Sequence, residues 1–210
     1  MVLQKRGEPM ATLILEDGTR FEGTLFGHKG NAAGEVVFTT GMAGYQETMT
    51  DPACAGQIIC MTYPLIGNVG INDLDFESAG VHCAGVVISE LCDLPSNWQI
   101  KRSLEDYLAE QGVTGLYGVD TRALTRKLRD HGPLNAMICA EIPEDISAIS
   151  SYNITGAVAK TACKESYVLQ GSGDLHTVVI DCGMKKSFAN EMTLCGKVTV
   201  VPFGTSAEEI

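Results

Sequence analysis

Positive charge is scarce in this sequence: 15 Lys and Arg stand against 26 Asp and Glu, a formal charge of -11. A field of that sign repels phosphate backbones, which excludes a general nucleic-acid binder. Also missing is any apolar run approaching the ~18 residues that a membrane-spanning helix needs. Gly7, Glu8 and Pro9 stand where a secretory signal would put its apolar region. A soluble, unexported, cytoplasmic protein without a membrane partner is the expectation. There is no CxxC pair and no cysteine at finger-like spacing from a histidine pair, so no structural zinc or other metal site is expected. The eight cysteines are spread evenly through a chain rich in Val, Ile and Leu, and are read as reduced, mostly buried thiols.

Several chemical signatures are absent as well. A nucleophile on a strained strand-to-helix turn needs small residues on both sides, as in G-x-C-x-G or G-x-S-x-G, and neither pattern occurs. Cys182 follows an apolar run and precedes a helical one, but Ile180 and Met184 flank it where glycines are required. It is read as a turn or packing residue in preference to a reactive thiol. Gly112, Gly115 and Gly118 have the wrong spacing for a phosphate loop, and Gly171-Ser172-Gly173 precedes a strand instead of following one. No nucleotide site or cofactor is expected in this chain. Asp73 and Asp75 lie in an apparent loop, where turn formation outweighs acid-base work.

What is present is enough apolar sequence, 45% of 210 residues, to build one large or two small cores. Short strands joined by glycine turns are expected over residues 12–15, 20–25 and 35–39, an antiparallel opening. Strand-length apolar runs follow at 57–62 and 84–88, separated by the Gly-, Pro- and Asn-rich loop 63–70, read as a surface feature. Ser103 should cap a helix over 104–111 that Gly112 ends, and Asp120 a helix over 121–130 that carries Arg122, Arg126, Lys127 and Arg129. Strands are expected at 114–119 and 136–140, then a polar connector over 142–174 holding a short helix or two. Beyond it, 176–181, the turn Cys182-Gly183, a helix over 184–195 with Phe188 and Met192 on one face, and 197–201 form a βαβ unit, the opening of a parallel sheet. Thr205 and Glu208 have capping-box spacing for a further helix. The expectation is that the chain stops within this second domain.

Charge is uneven along the chain. No Lys or Arg lies between Lys29 and Lys101, while Glu35, Glu47, Asp51, Asp73, Asp75, Glu77, Glu90 and Asp93 do. This acidic stretch is either a solvated surface or a docking face for a basic partner, with the arginine-rich helix 121–130 as the rival surface.

Two loop segments then bear a resemblance: Gly41-Met-Ala-Gly-Tyr-Gln-Glu-Thr-Met-Thr-Asp-Pro52 and Met61-Thr-Tyr-Pro-Leu-Ile-Gly-Asn-Val-Gly-Ile-Asn72. With Leu15-Glu-Asp-Gly18, Gly34-Glu-Val-Val-Phe38 and 118–129, they resemble the small, glutamine-handling subunit of carbamoyl phosphate synthetase. The likeness runs in order over about 11–140 and resumes over 178–209. It implies a mixed α/β fold. An N-terminal three-layer β/β/α domain (1–141) and a connector (142–174) would precede the incomplete start of a parallel-sheet class I glutamine amidotransferase domain (175–210). It implies that a Cys-His-Glu site hydrolyses L-glutamine through a thioester. Ammonia then passes to a large subunit that uses ATP and Mg2+ to make carbamoyl phosphate for arginine and pyrimidine synthesis. In the family those catalytic residues lie beyond the point aligned with Ile210, so no catalytic residue is assigned and the 210 residues alone are expected to be inactive. The one substrate-binding position implied for the N-terminal domain falls on Ala53, where the family usually shows serine. Without a hydroxyl, Ala53 could offer glutamine only its backbone. The alternative is a non-catalytic module that docks on the large subunit.

Overall fold

The computed structural model describes residues 9–210; Gly7 and Glu8, which argue against an export signal, lie outside them. The chain runs through β1 (Met10–Leu15), β2 (Arg20–Gly27), β3 (Ala32–Thr39), α1 (Tyr45–Thr50), a 3-10 turn at Pro52–Cys54, β4 (Gln57–Met61), β5 (Leu65–Ile66), β6 (Gly85–Val87) and β7 (Glu90–Leu91). It continues through α2 (Leu104–Glu110), β8 (Thr114–Tyr117), α3 (Thr121–His131) and β9 (Leu134–Cys139). Then come α4 (Ser147–Ser150), α5 (Ala157–Thr161), β10 (Tyr167–Leu169), β11 (Leu175–Asp181), α6 (Lys186–Thr193) and β12 (Gly196–Pro202).

Seven strands close into a barrel in the order β1-β2-β8-β6-β4-β3-β9. The expected antiparallel opening holds for β1 and β2, but β3 departs from it. It lies antiparallel to β9 and parallel to β4, because α1 and the 3-10 turn form a crossover that returns the chain in the same direction. β4, β6 and β8 continue the parallel run, so four neighbouring strands point one way. Closure leaves no free edge on this sheet.

Strand alternation sorts the core into an inside and an outside. One apolar cluster draws on all seven strands, with Leu13, Leu25, Val36, Ile58, Val87, Leu116 and Ile138 among its members, and Leu124 and Leu128 of α3 join it. This is the barrel interior. The alternate residues Phe26, Ile59, Met61 and Val86 belong to a second cluster, covered by Tyr45 and Met49 of α1 and by Leu104, Tyr107 and Leu108 of α2. Ile14 and Cys139 face Ile149 of α4 on another side. β8 carries Gly115 because the Phe26 ring occupies the space a Cβ would need.

Helix ends follow their sequence signals. The Ser103 hydroxyl accepts from the Asp106 amide at 3.1 Å, and the Asp120 carboxylate from Ala123 N–H at 2.8 Å. Gly112 and Gly132, both at positive φ, follow α2 and α3. The loop over 63–70 is more than a surface feature: β5 within it pairs in parallel with β7, and Ile66 is buried.

The later residues form the expected βαβ unit, with β11 and β12 parallel. The connector adds what the sequence reading lacks: β10 pairs antiparallel with β12, making a sheet in the order β10-β12-β11. Three residues within a polar connector carry too little pattern to be seen as a strand. The helix α6 starts at Lys186, two residues later than expected; Ala189 is its buried residue, and Phe188, expected on an inner face, is 57% exposed. The expected Thr205–Glu208 capping pair is displaced by one residue, since Glu209 accepts from Ser206 N–H at 3.2 Å. Among the described residues no helix is long and apolar enough to cross a membrane.

Candidate functional site

The two loop segments quoted above meet through buried polar contacts. The Tyr45 hydroxyl donates to the Gly70 carbonyl at 2.5 Å. Gln46 pairs with the backbone of Asn72 in both directions: its amide nitrogen donates to the Asn72 carbonyl at 2.7 Å, and its oxygen accepts from Asn72 N–H at 3.0 Å. Each of these groups is out of water, so each bond removes a desolvation cost of about 1–3 kcal/mol from an otherwise unpaired group. The Asn72 side chain then orders the following turn, accepting from Leu74 and Asp75 N–H and donating to the Asp75 carboxylate at 2.7 Å.

From α1 the network reaches the βαβ unit. The Thr50 hydroxyl accepts from Glu77 N–H at 3.0 Å, and the Ser78 hydroxyl donates to the Thr50 carbonyl at 2.6 Å. Ser78 Oγ also lies 2.8 Å from His82 Nε2. Burial pulls the His82 pKa down despite the opposing charge of Asp51. Glu77 then crosses to α6: its carbonyl accepts from Lys186 N–H at 2.8 Å and its carboxylate from Ser187 N–H at 2.9 Å. The helix has no capping side chain of its own at Lys185, so Glu77 caps it from the barrel side. Lys185 instead pairs with Asp51 at 2.5 Å, and the hydrogen bond it donates to that carboxylate raises the lysine's pKa.

The turn between β11 and α6 is held by Asp181. Its carboxylate accepts from Gly183 and Met184 N–H, each at 2.8 Å, and from Cys163 N–H of the connector at 2.7 Å. Burial alone would raise its pKa, but these backbone donors outweigh burial and hold it below the usual carboxylate range. Between the barrel loop and this unit lies a cavity of about 600 Å3, lined by Phe76, Glu77, Thr161, Cys163, Asp181 and Lys185 among others.

Ala53 sits at the middle of the 3-10 turn, exposed, with its N–H bonded to the Asp51 carboxylate at 2.9 Å. Its neighbour Pro52 packs against Gly183, where a Cβ would lie 3.3 Å from the Pro52 ring. Ala53 is therefore beside the β11–α6 turn, though not among the residues lining the 600 Å3 cavity. Asp73, Asp75 and Glu77 are brought together along one loop, but as internal partners: Asp73 lies 3.6 Å from Lys101, Asp75 accepts from Asn72, and Glu77 caps α6. Sequence reasoning missed the Glu77 cap; its one signal is that α6 begins with Lys185 and Lys186 and so needs a cap from elsewhere.

Thiol chemistry finds little support. All eight cysteines are free, but the expectation of mostly buried thiols is too strong: only Cys60, Cys83 and Cys139 are buried, while Cys182 and Cys195 are exposed. Burial pushes Cys54 up to about 11 and Cys60 and Cys83 to about 12, far from thiolate chemistry near neutral pH. Among the described residues no histidine is hydrogen-bonded to a cysteine: His82 faces Ser78, His131 the Lys127 carbonyl, and His176 the Thr199 hydroxyl. Nor, among those residues, do three or more His, Cys, Asp or Glu side chains group to hold a metal ion.

Residues 13–138 match the family described as carbamoyl-phosphate synthase small chain, CPSase domain. A protein named carbamoyl phosphate synthase small chain from Bacillus thuringiensis is 47% identical over 203 residues, covering 94% of this chain and 55% of that protein. Proteins of the same name from Symbiobacterium thermophilum and Archaeoglobus fulgidus are 47% and 44% identical, covering 93% and 95% of this chain and 57% and 58% of theirs. The chain thus spans a little over half the length of these curated relatives. Among solved structures, an aminopeptidase from Aneurinibacillus sp. strain AM-1 aligns at 12% identity with a TM-score of 0.38, over 96% of this chain and 50% of that one; so low a score carries no argument.

Proposed function

The chain belongs to the carbamoyl-phosphate synthase small-chain family, and on that premise we propose that it serves the glutamine-hydrolysing subunit of this synthase in the cytoplasm. In this reading a Cys-His-Glu centre outside these 210 residues releases ammonia from L-glutamine. A large subunit, using ATP and Mg2+, consumes that ammonia to form carbamoyl phosphate. The barrel, with α1 and α2 covering its outer face and α3 packed on its interior cluster, is read as the β/β/α domain (1–141). Residues 142–174 act as connector and 175–210 as the first βαβ unit of an amidotransferase domain.

The observation that carries this reading is the latch between the two motif loops and the βαβ unit, running from Gln46–Asn72 through Thr50 and Glu77 to α6. Such a latch fixes the Asp51–Cys54 segment against the β11–α6 turn, the place where a substrate held between the two domains would meet both. Ala53 would contribute there through its backbone alone.

The test is carbamoyl phosphate synthesis by the small chain assembled with its large subunit, with glutamine or with ammonium as nitrogen source. Glutamine-dependent synthesis by the complex, together with no glutamine turnover by the isolated 210 residues, is expected. Glutamine hydrolysis by those residues alone overturns the assignment of chemistry. A stable complex that uses only ammonium favours the docking-module reading instead.

A further inference from the structure

The C-terminal ends of β3, β4, β6 and β8, the four parallel neighbours, open together into a groove of about 850 Å3, with Thr40, Thr62 and Ser89 on its floor. Its wall is α3, whose Arg122, Arg126 and Arg129 line the groove at i, i+4 and i+7, one face of the helix. All three are exposed.

These arginines are poorly compensated within the chain. Lys127 of the same helix reaches Asp17 at 2.5 Å, and Arg129 its neighbour Asp130 at 3.2 Å. Arg122 and Arg126 make no ion pair among the described residues, in a protein with 26 acids to choose from. Arg122 is moreover the second residue of α3, in a first turn without acidic residues, where the positive end of the helix dipole disfavours a cation. Asp120, the acid on the groove wall, is engaged by Ala123 N–H. Two unpaired cations in a hydroxyl-floored groove, one placed against its helix dipole, call for negative charge from outside.

We infer that this groove seats an acidic segment of the large subunit, its carboxylates pairing with Arg122 and Arg126. The stripe rises about 10 Å along the helix from 122 to 129, which suits successive acidic side chains of a protein segment better than one compact anion. A second copy of this chain fits poorly, since both copies carry -11. The inference rests on the proposed partnership with a large subunit and names the face and chemistry by which it forms.

The experiment measures the affinity of the full small chain for the large subunit at two salt concentrations. The variants are wild type, Arg122→Glu/Arg126→Glu, Arg126→Gln and Asp73→Lys, each checked for an unchanged thermal transition. At least tenfold weaker assembly is expected for the double reversal and severalfold for Arg126→Gln, with a salt dependence shallower than wild type. Asp73→Lys, on the acidic loop, should assemble normally. Wild-type affinity from the double reversal, or from Arg126→Gln should the double variant not fold, overturns this inference and leaves the partnership intact. No complex from the wild-type chain overturns both. Saturable stabilisation by inorganic phosphate that Arg126→Gln abolishes, with assembly untouched, makes the groove a small-anion site and also overturns it.

Discussion

Replacing Glu77 tests whether the barrel truly holds the βαβ unit. The Glu77 carboxylate supplies one charge-assisted bond to Ser187 N–H at the start of α6, while the Lys186 amide is held by the Glu77 backbone and survives any side-chain change. Loss of an N-cap acceptor costs about 0.5–2 kcal/mol, and the helix-dipole share of a terminal carboxylate about 0.3–1 kcal/mol. Because this bond is solvent-exposed, Glu77→Ala should cost about 1 kcal/mol, and Glu77→Gln, which keeps an acceptor but not the charge, about half that. Hydrogen exchange reads this locally. If α6 opens independently of the barrel, 1 kcal/mol means about fivefold faster exchange across 186–193 in Glu77→Ala, with barrel amides of β3 and β4 unchanged. Unchanged α6 exchange would show that Glu77 does not cap the helix. Equal acceleration in the barrel would show that the two regions unfold as one, and either result refutes the reasoning.

Three further outcomes are expected. Asp181 has its pKa lowered in the fold, so the unfolded chain binds its proton first as pH falls. The stability it confers is complete above the ordinary carboxylate pKa and is lost on acidification through the folded value. Asp181→Asn should flatten that part of the pH–stability curve measured by urea unfolding, and an unchanged slope would remove Asp181 from the account. Gln46→Leu strands the buried N–H and carbonyl of Asn72 and should cost about 2–4 kcal/mol in chemical denaturation, so a loss under 1 kcal/mol would contradict the latch. Alkylation of the native protein should label Cys182 and Cys195 while sparing Cys60 and Cys83, as mapped by mass spectrometry; early labelling of Cys60 would show that the barrel interior opens readily.

Local signals were legible wherever one residue type dictates one geometry. Ser103 and Asp120 cap the helices they precede, Gly112 and Gly132 follow them, and the Asp17-Gly18 turn marks the β1–β2 pair. Features made by distant residues were not legible. Closure of the barrel depends on β9 reaching both β1 and β3, and nothing within Leu134–Cys139 encodes two partners. Likewise α1 was missed because Tyr45–Thr50 is a six-residue helix whose buried face, Tyr45 and Met49, is defined only by the barrel wall it covers. At the candidate site the motif residues were visible, while their contacts were not. Gln46 and Asn72 are 26 positions apart, and each looks in sequence like an ordinary loop residue.

Charge shows how structure weighs the acidic stretch, the docking face the sequence puts first, against its rival, the arginine-rich helix. The acidic stretch and the arginine helix both qualify as docking faces by composition. In the fold, Asp51 is matched by Lys185, Asp73 by Lys101 and Glu77 by the amides of α6, so much of that acidity is spent inside the molecule. Reversing Asp51 or Glu77 would loosen the hold on the βαβ unit before it touched any partner. A binding defect in such variants would therefore carry a stability defect with it. Among the described residues Arg122 and Arg126 make no ion pair, so their reversal can weaken assembly at constant stability. That separation of binding from folding is the property a docking surface should have, and the arginine groove has it where the acidic loop does not.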